Sequence, residues 1–161
     1  MMRKLIGLIM VSLLAMTHFA HADGTYYVVR HAEKQDGDNP ILTKKGMKRA
    51  AHIVAMLKDE PISRVFSTET YRTVMTATPM AADRGVAVEL FSTDDLDGFA
   101  DMLKGLQGTF LIVAHSSSTP DLASLLSGTK QPKLAETDFE QMFKVVIEGD
   151  KATLTQFQTT F

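Results

Sequence analysis

Two histidines each come directly after a short apolar run that is typical of a buried strand. His31 follows Arg30 at the end of the run YYVV, and His115 follows the run FLIVA. Arg72 stands at the start of a predicted helix, shortly after a third apolar run. Arginine forks hold tetrahedral oxyanions through paired hydrogen bonds, and a neutral imidazole nitrogen can attack phosphorus. These residues therefore predict a phosphate site at which a histidine becomes phosphorylated.

The four side chains meet only if the apolar runs are strands of one sheet. Apolar runs alternate with helical stretches along the chain, which predicts an α/β fold: a three-layer α/β/α sandwich with a mostly parallel central sheet and a C-terminal β-hairpin. Ligands bind at the carboxyl ends of strands in such sheets, so both histidines would face one pocket. We expect strands at 26–29, 63–66, 86–91 and 110–114, helices at 44–58, 71–83, 96–106 and 119–126, and hairpin strands at 142–147 and 152–157.

The first helix has a capping residue and an apolar face. Thr43 is suited to cap its N-terminus. Helical spacing places five apolar residues on one face, namely Met47, Ala50, Ala51, Val54 and Leu57. His52 lies beside polar positions, and we expect it at the surface.

Residues 1–22 have the pattern of a signal peptide. Arg3 and Lys4 precede an apolar run over residues 5–16 that is too short to span a bilayer comfortably, and Ala20-His21-Ala22 matches the small-x-small pattern of a cleavage site. We therefore expect one mature domain over residues 23–161, exported and most simply periplasmic, with no stable membrane anchor. An uncleaved anchor is the alternative interpretation of the same pattern.

Composition excludes several classes of function. The chain has no cysteine, which excludes cysteine-dependent phosphatases and proteases as well as a lipid-anchored lipoprotein. The formal net charge is −2, and the basic residues form no stripe, so nucleic acid is not an expected partner. A metal-binding protein built on His31, His115 and some of the methionines is a rival class, but the neighbouring arginines would repel a cation.

Four ordered blocks resemble the histidine phosphatase superfamily, also called phosphoglycerate-mutase-like. The blocks are RHAE at 30–33, LTKKGMKRA at 42–50, FSTETYRTVMTA at 66–77 and LIVAHSSSTP at 111–120. Together they lie within residues 25–128, and four blocks in family order are far more specific than a lone Arg-His pair. The chain is thereby similar to the small exported, single-domain members of that superfamily.

The resemblance implies a role for each matching residue. His31 would be the phosphorylated nucleophile, Arg30, Arg72 and His115 would bind the phosphate, and Thr43 or Ser67 would line the pocket. Two positions depart from the family pattern. Ala32 replaces the glycine that often follows the histidine, and Met75 stands where many members have glutamine.

The leaving group of a phosphate ester normally requires a proton, and the chain offers two candidate acids. Asp94 is the first, by resemblance to larger members that carry a carboxylate after the third strand, and Glu33 is the second. Asp95 and Asp97 are better suited to begin the next helix, where negative charge favours the helix dipole. An enzyme for phosphohistidine or another labile phosphate could work without an acid.

The expected activity is metal-independent, cofactor-free hydrolysis of a phosphomonoester or of phosphohistidine. A phosphorylated small molecule, a lipopolysaccharide head group and a phosphoprotein all remain possible substrates. The chain has no large insertion over the pocket, so an open site is expected. A non-catalytic phosphate-binding envelope protein that retains the pocket is the alternative.

Overall fold

The computed structural model describes residues 22–161, and the strands of this part of the chain form one six-stranded sheet. The predicted signal peptide, except for Ala22, lies outside the described residues. None of the helices within residues 22–161 has both the length and the apolar character that crossing a membrane requires.

Strands and helices alternate up to the C-terminal hairpin. The strands are β1 (Gly24–Arg30), β2 (Ile62–Ser67), β3 (Val88–Leu90), β4 (Gly108–Ala114), β5 (Gln141–Glu148) and β6 (Lys151–Gln158). The helices are α1 (Lys44–Met56), α2 (Tyr71–Arg84), α3 (Leu96–Lys104) and α4 (Ser118–Ser127). Every predicted element is present, and no end of a helix or strand differs from the prediction by more than two residues.

The sheet order is β3-β2-β4-β1-β5-β6, with the first four of these strands parallel. Strand β5 lies antiparallel to β1, and β6 lies antiparallel to β5 as the predicted hairpin. Because β1 pairs with β4 in parallel register, Arg30 is opposite Ala114 and both strands end at the same edge. This register brings the residues that follow β1 and β4 together.

Two apolar clusters cover the two faces of the sheet. Alternate residues of β1 point to opposite faces: Tyr26 and Val28 belong to the cluster under α3 and α4, whereas Tyr27 and Val29 belong to the cluster under α1 and α2. The strands β1 and β4 are consequently apolar on both sides, as expected for central parallel strands. The predicted three-layer sandwich is confirmed.

The buried face of α1 differs from the predicted one. Thr43 caps the helix as expected, because its Oγ1 accepts a hydrogen bond from the Gly46 amide. However, Met47 and Ala51 are exposed, and the buried residues of the helix are Gly46, Arg49, Ala50 and Ile53. Apolar spacing misplaced this face because a charged side chain, Arg49, is completely buried and paired within the fold.

Candidate active site

The carboxyl ends of β1 and β4 place the two predicted histidines side by side. The His31 amide donates to the Ala114 carbonyl oxygen at 2.9 Å and so continues the pairing of the two strands by one residue. The ring centroids of His31 and His115 lie 5.7 Å apart, edge to face. The structure thus brings both histidines to one edge of the sheet.

His31 is buried, and its ring has one hydrogen-bonded nitrogen. Its Nδ1 lies 2.8 Å from the Ala32 carbonyl oxygen, and its exposed fraction is 3 %. Burial lowers the pKa of His31 to about 3, and the charges of Arg30 and Arg72 act in the same direction. A neutral imidazole in this position must carry its proton on Nδ1, because a carbonyl oxygen only accepts. Nε2 therefore keeps its lone pair, as a nucleophile requires.

His115 is held between Arg72 and Thr68. Arg72 Nη2 donates to His115 Nδ1 at 3.4 Å, and His115 Nε2 lies 2.9 Å from Thr68 Oγ1. Burial, together with the charges of Arg72 and Arg30, lowers the pKa of His115 to about 4. Because the neutral ring accepts at Nδ1, its proton lies on Nε2, which donates to Thr68 Oγ1. Thr68 Oγ1 in turn donates to Thr73 Oγ1 at 2.9 Å. Thr68 and Thr73 thereby orient His115.

Arg30 is held by contacts with residues 135–139, which belong to the connection between α4 and β5. We name these residues the 135–139 segment. Arg30 Nη1 donates to three carbonyl oxygens of this segment, those of Ala135, Glu136 and Asp138, at 2.8–3.0 Å. Its Nη2 lies 3.2 Å from the Glu136 carboxylate, and its guanidinium carbon lies 4.2 Å from the centre of the Phe139 ring. One end of the guanidinium is thus fixed by the protein itself.

The other donors of the two arginines are available to a ligand. Within the described part of the chain, Arg30 Nε and Arg72 Nε are buried and have no hydrogen-bond partner. A buried donor without a partner is costly, so such groups usually mark a site that something else satisfies. Both donors belong to the residues that were predicted to bind phosphate.

Helix α2 also supports the loop that carries His31. Thr76 Oγ1 accepts from the Ala32 amide at 3.0 Å and donates to the Arg72 carbonyl oxygen at 2.7 Å. One hydroxyl therefore links the peptide after the predicted nucleophile to the helix that carries Arg72. Met75, which stands in the place of the family's glutamine, packs against Ala32 and Leu42 instead of making a polar contact.

Asp94 lies in the wall of a cavity beside His115, and Glu33 lies elsewhere. The cavity measures about 520 Å³ and is lined by Thr68, Glu69, Thr70, Leu90, Phe91, Ser92, Thr93, Asp94 and His115. Asp94 is exposed there, whereas Asp95 caps α3 by accepting from the Gly98 amide at 2.9 Å, and Asp97 stands in the first turn of that helix. The structure separates the three aspartates as expected, with only Asp94 facing the cavity.

Glu33 is committed to an ion pair. Arg49 Nη2 and Nε donate to its two carboxylate oxygens at 2.7 and 2.9 Å, and Lys45 approaches to 3.2 Å. Burial would raise the pKa of this carboxyl, but the hydrogen bonds and charge of Arg49 outweigh it and hold the pKa below its usual range. Such a carboxylate is a poor proton donor, so the structure favours Asp94 over Glu33 as the candidate acid.

The predicted pocket residues Thr43 and Ser67 have other partners. Thr43 Oγ1 caps α1 and lies 3.3 Å from the Glu33 carbonyl oxygen. Ser67 is completely buried and donates to the Thr68 carbonyl oxygen at 2.8 Å. Neither side chain forms a hydrogen bond with the two histidines or with Arg30 and Arg72. The hydroxyl that does so belongs to Thr68, the residue after β2.

Sequence reasoning missed the 135–139 segment. The expected open site is closed on the side of Arg30, where Glu136 and Phe139 lie over the guanidinium, and it is open on the side of Asp94. Its only sequence signal is an irregular stretch of about a dozen residues between α4 and β5, and stretches of that length often carry functional residues. Ser116 belongs to this side too, since it donates to Glu136 at 2.9 Å.

Potential metal ligands do not cluster in the described residues. In residues 22–161, no group of three or more histidine, cysteine, aspartate or glutamate side chains is placed to hold a metal ion. The positive charge of the site comes instead from Arg30 and Arg72.

Comparisons with solved structures show the same fold in several phosphate-handling proteins. The chain is similar to the protein histidine phosphatase SixA complexed with tungstate, with a TM-score of 0.67, 16 % identity, and coverage of 84 % of this chain and 97 % of that one. It is similar to a phosphoserine phosphatase from Entamoeba histolytica (TM-score 0.65, 15 % identity, coverage of 85 % and 98 %). A third similar structure is a candidate α-ribazole-5′-P phosphatase from Escherichia coli, with a TM-score of 0.69, 18 % identity, and coverage of 83 % and 96 %.

Comparisons at the level of sequence are more selective. A search of curated proteins gives no match. The model of the histidine phosphatase superfamily (branch 1) matches residues 26–100, which contain Arg30, His31 and Arg72. This match includes three of the four blocks that suggested the family, and the structure supplies the fourth by placing His115 beside His31. Residues 26–100 of the chain therefore match the histidine phosphatase superfamily.

Proposed function

We propose that the chain is a phosphatase that hydrolyses phosphate monoesters or phosphohistidine through a phosphohistidine on His31. The observation that carries this proposal is the state of His31: a buried neutral imidazole, with its proton directed to Ala32 and its Nε2 lone pair free, set among Arg30, Arg72 and His115. The similar SixA structure is a complex with tungstate, a tetrahedral oxyanion like phosphate. A ligand of this shape suits the group formed by Arg30, Arg72 and the two histidines.

The reaction has two steps on these residues. His31 Nε2 attacks phosphorus, the bond from phosphorus to the leaving oxygen (or, in a phosphohistidine substrate, the leaving nitrogen) breaks, and the alcohol or imidazole departs with a proton. Water then attacks the phosphohistidine, the P–N bond breaks, and inorganic phosphate leaves. The guanidinium groups of Arg30 and Arg72 stabilise the charge on the phosphoryl oxygens in both steps, which is how the site works without a metal ion.

The direct test is to trap the intermediate. Brief incubation with a labelled phosphate ester, followed by an alkaline quench, should leave an acid-labile and base-stable label on the wild-type protein and none on His31→Ala. A label that persists in His31→Ala would contradict the mechanism.

Turnover that is lost on chelation and restored by a divalent ion would contradict metal independence. A protein that binds vanadate but hydrolyses neither an ester nor phosphohistidine would be the non-catalytic phosphate-binding protein instead.

Asp94 is proposed as the acid, because it is the exposed aspartate of the cavity beside His115. If Asp94 protonates the leaving oxygen, Asp94→Asn should lower kcat/KM for an alkyl phosphate by ~10²–10⁴-fold and barely affect a nitrophenyl phosphate, whose leaving group needs no proton. Asp97→Asn, in the exposed first turn of α3, is the matched control. Equal losses on the two substrates, or none, would remove Asp94 from this role, and an acid-free enzyme for labile phosphates would be the better interpretation.

The place of action is also a proposal. We propose that residues 1–22 direct the chain to the periplasm and are removed. Fractionation of cells that express the whole chain, followed by N-terminal sequencing, should give a soluble periplasmic protein that begins at Asp23. A chain retained in the cytoplasm, or held in the membrane with residues 1–22 intact, would contradict this proposal. A periplasmic location would favour an envelope component such as a lipopolysaccharide head group over a cytoplasmic phosphoprotein.

A further inference from the structure

Glu136 lies beside the edge of the Arg30 guanidinium that remains available to a ligand. One carboxylate oxygen lies 3.2 Å from Arg30 Nη2, and the other accepts from Ser116 Oγ at 2.9 Å. Arg30 Nη1 is saturated by three backbone carbonyl oxygens, so the guanidinium offers only its Nε–Nη2 edge to an incoming phosphate. Paired acceptance from such an edge is the preferred geometry of an oxyanion. A phosphate at this edge either uses the second N–H of Nη2 or takes the first from Glu136, and in both cases it lies next to the carboxylate.

The carboxylate stays at the rim after such an exchange. Its side chain is 81 % exposed, so it can swing away from Arg30 without unpacking anything. Ser116, on the loop that leads from His115 into α4, holds the other oxygen and does not depend on Arg30. The bond from Ser116 and the charge of Arg30 hold the pKa of Glu136 below its usual range, so the group is anionic at neutral pH. A bound substrate therefore meets a negative charge next to its phosphate.

Two further carboxylates add negative charge on the other side of the site, away from Glu136. Glu69 and Asp94 line the cavity beside His115, and both are exposed. Arg30 is buried and Arg72 is half-buried, whereas the carboxylates of Glu136, Glu69 and Asp94 are exposed. The exposed charged groups named here are thus negative, and the less exposed ones, including Lys34, whose charge acts on Glu136, are positive.

We propose that Glu136 is a specificity-determining residue that selects substrates carrying a cationic group next to the phosphate and disfavours those carrying a second anionic group there. This inference rests on the proposed function and names its substrate class: aminoalkyl or amino-sugar phosphates and phosphorylated segments rich in lysine or arginine. Carboxylated phosphates and polyphosphates are disfavoured. The distinction comes from charge alone, so it applies whatever the size of the rest of the substrate.

The test compares two small substrates of opposite charge and similar size, O-phosphoethanolamine and phosphoglycolate. Wild-type kcat/KM should favour phosphoethanolamine, and Glu136→Gln should reduce the ratio of the two values by roughly tenfold, since one screened charge acts with opposite sign on the two substrates. Glu148→Gln removes the same charge at the opposite end of the sheet and should leave the ratio unchanged. Vanadate inhibition is measured in parallel, because vanadate has no second group to discriminate.

The outcomes separate this inference from the proposed function. An unchanged ratio of the two kcat/KM values in Glu136→Gln would overturn the inference, even if vanadate bound more tightly. Glu136 would then only compete with phosphate for Arg30 and would not select between substrates. If neither a phosphate ester nor phosphohistidine is hydrolysed, the proposed function fails. The same two compounds are then compared by equilibrium binding, where equal effects of Glu136→Gln on both would overturn the inference and opposite effects would support it.

Discussion

The protonation state of His31 determines what this site can do. The ring lies among arginines and in a nearly water-free position, so a proton on it is unfavourable and Nε2 is a free base at physiological pH. The same state has a thermodynamic cost in acid. In the unfolded chain, the histidine would titrate near its ordinary pKa of 6.5, whereas in the fold it titrates at about 3.

The first prediction concerns acid stability. Between pH 6.5 and about 3 the unfolded chain binds more protons at His31 than the folded one, so this residue makes the free energy of unfolding fall as the pH falls. His31→Asn carries no titrating ring and should have a shallower dependence, by up to about 1.4 kcal/mol per pH unit. Urea titrations of both proteins at several pH values measure the slopes. Parallel stability curves would show that His31 is not neutral in the fold.

The second prediction concerns Thr68, the partner of His115 Nε2. Thr68→Val keeps the shape of the buried side chain and removes the hydroxyl, so His115 loses one of its two orienting contacts. We expect kcat/KM to fall by about tenfold, consistent with about 1.4 kcal/mol of lost positioning, while the protein stays folded. The control is Thr78→Val, which removes an exposed hydroxyl in α2, ten residues farther along the chain. It should retain full activity. Unchanged activity in Thr68→Val would contradict the role of Thr68.

Residue types alone indicated Arg30, His31, Arg72 and His115 as the site, because each stands at the end of a strand or the start of a helix that the apolar pattern predicts. The pairing of Glu33 with Arg49 was not predictable in the same way. Both residues are charged and lie 16 positions apart, and only the packing of α1 against the loop after β1 shows that they are partners. Local sequence patterns reveal even less about Glu136, because its contact with Arg30 joins two residues 106 positions apart.

At the scale of elements, α1 is pressed against the loop that carries His31. A methyl group on Gly46 would collide with the backbone carbonyl oxygen of Glu33, and a backbone atom cannot yield as a flexible side chain can. The Thr43 amide and hydroxyl contact that same carbonyl oxygen. The glycine of the LTKKGMKRA block is therefore required by the close approach of helix and loop.

The third prediction follows from this contact. Gly46→Ala should lower the free energy of unfolding by about 1–3 kcal/mol despite the better helix propensity of alanine, because the helix or the loop must move. Since the loop follows His31 directly, kcat/KM should fall as well. Gly105→Ala, where the new methyl group would meet only ordinary contacts at 3.4 Å or more, is the matched control. An unchanged or higher Tm for Gly46→Ala would contradict the close approach.

The fourth prediction concerns the buried arginine of α1. Arg49 joins the loop after β1 to the end of the chain, because it donates to both Glu33 and the Thr159 carbonyl oxygen. Arg49→Met should lower the free energy of unfolding by about 3–5 kcal/mol, since the Glu33 carboxylate loses its buried partner and keeps only the exposed Lys45. The double variant Arg49→Met/Glu33→Gln should recover part of that loss. Additive losses in a double-mutant cycle would show that the pair is not coupled.

At the scale of the whole molecule, the sheet order explains why the site is closed on one side. The hairpin of β5 and β6 adds to the free edge of β1 in antiparallel direction, so the connection that leads into it from α4 must cross the end of β1. The crossing places the 135–139 segment over Arg30. Alternating apolar runs predicted the hairpin, but periodicity does not reveal to which edge of the sheet a hairpin adds, and so the covering of Arg30 was not foreseen.

The central place of β1 has a consequence for the order in which the molecule assembles. Strand β1 is made first, yet its neighbours on the two sides are β4 and β5, and the groups that grip Arg30 lie 105–108 residues later. Closing such long loops is slow compared with forming helices. A nascent chain that ends at β4 can form α1 and α2, but it lacks the residues that bind Arg30 and therefore has no complete oxyanion site. In refolding experiments, oxyanion binding should therefore return after helical circular dichroism and together with the docking of the hairpin.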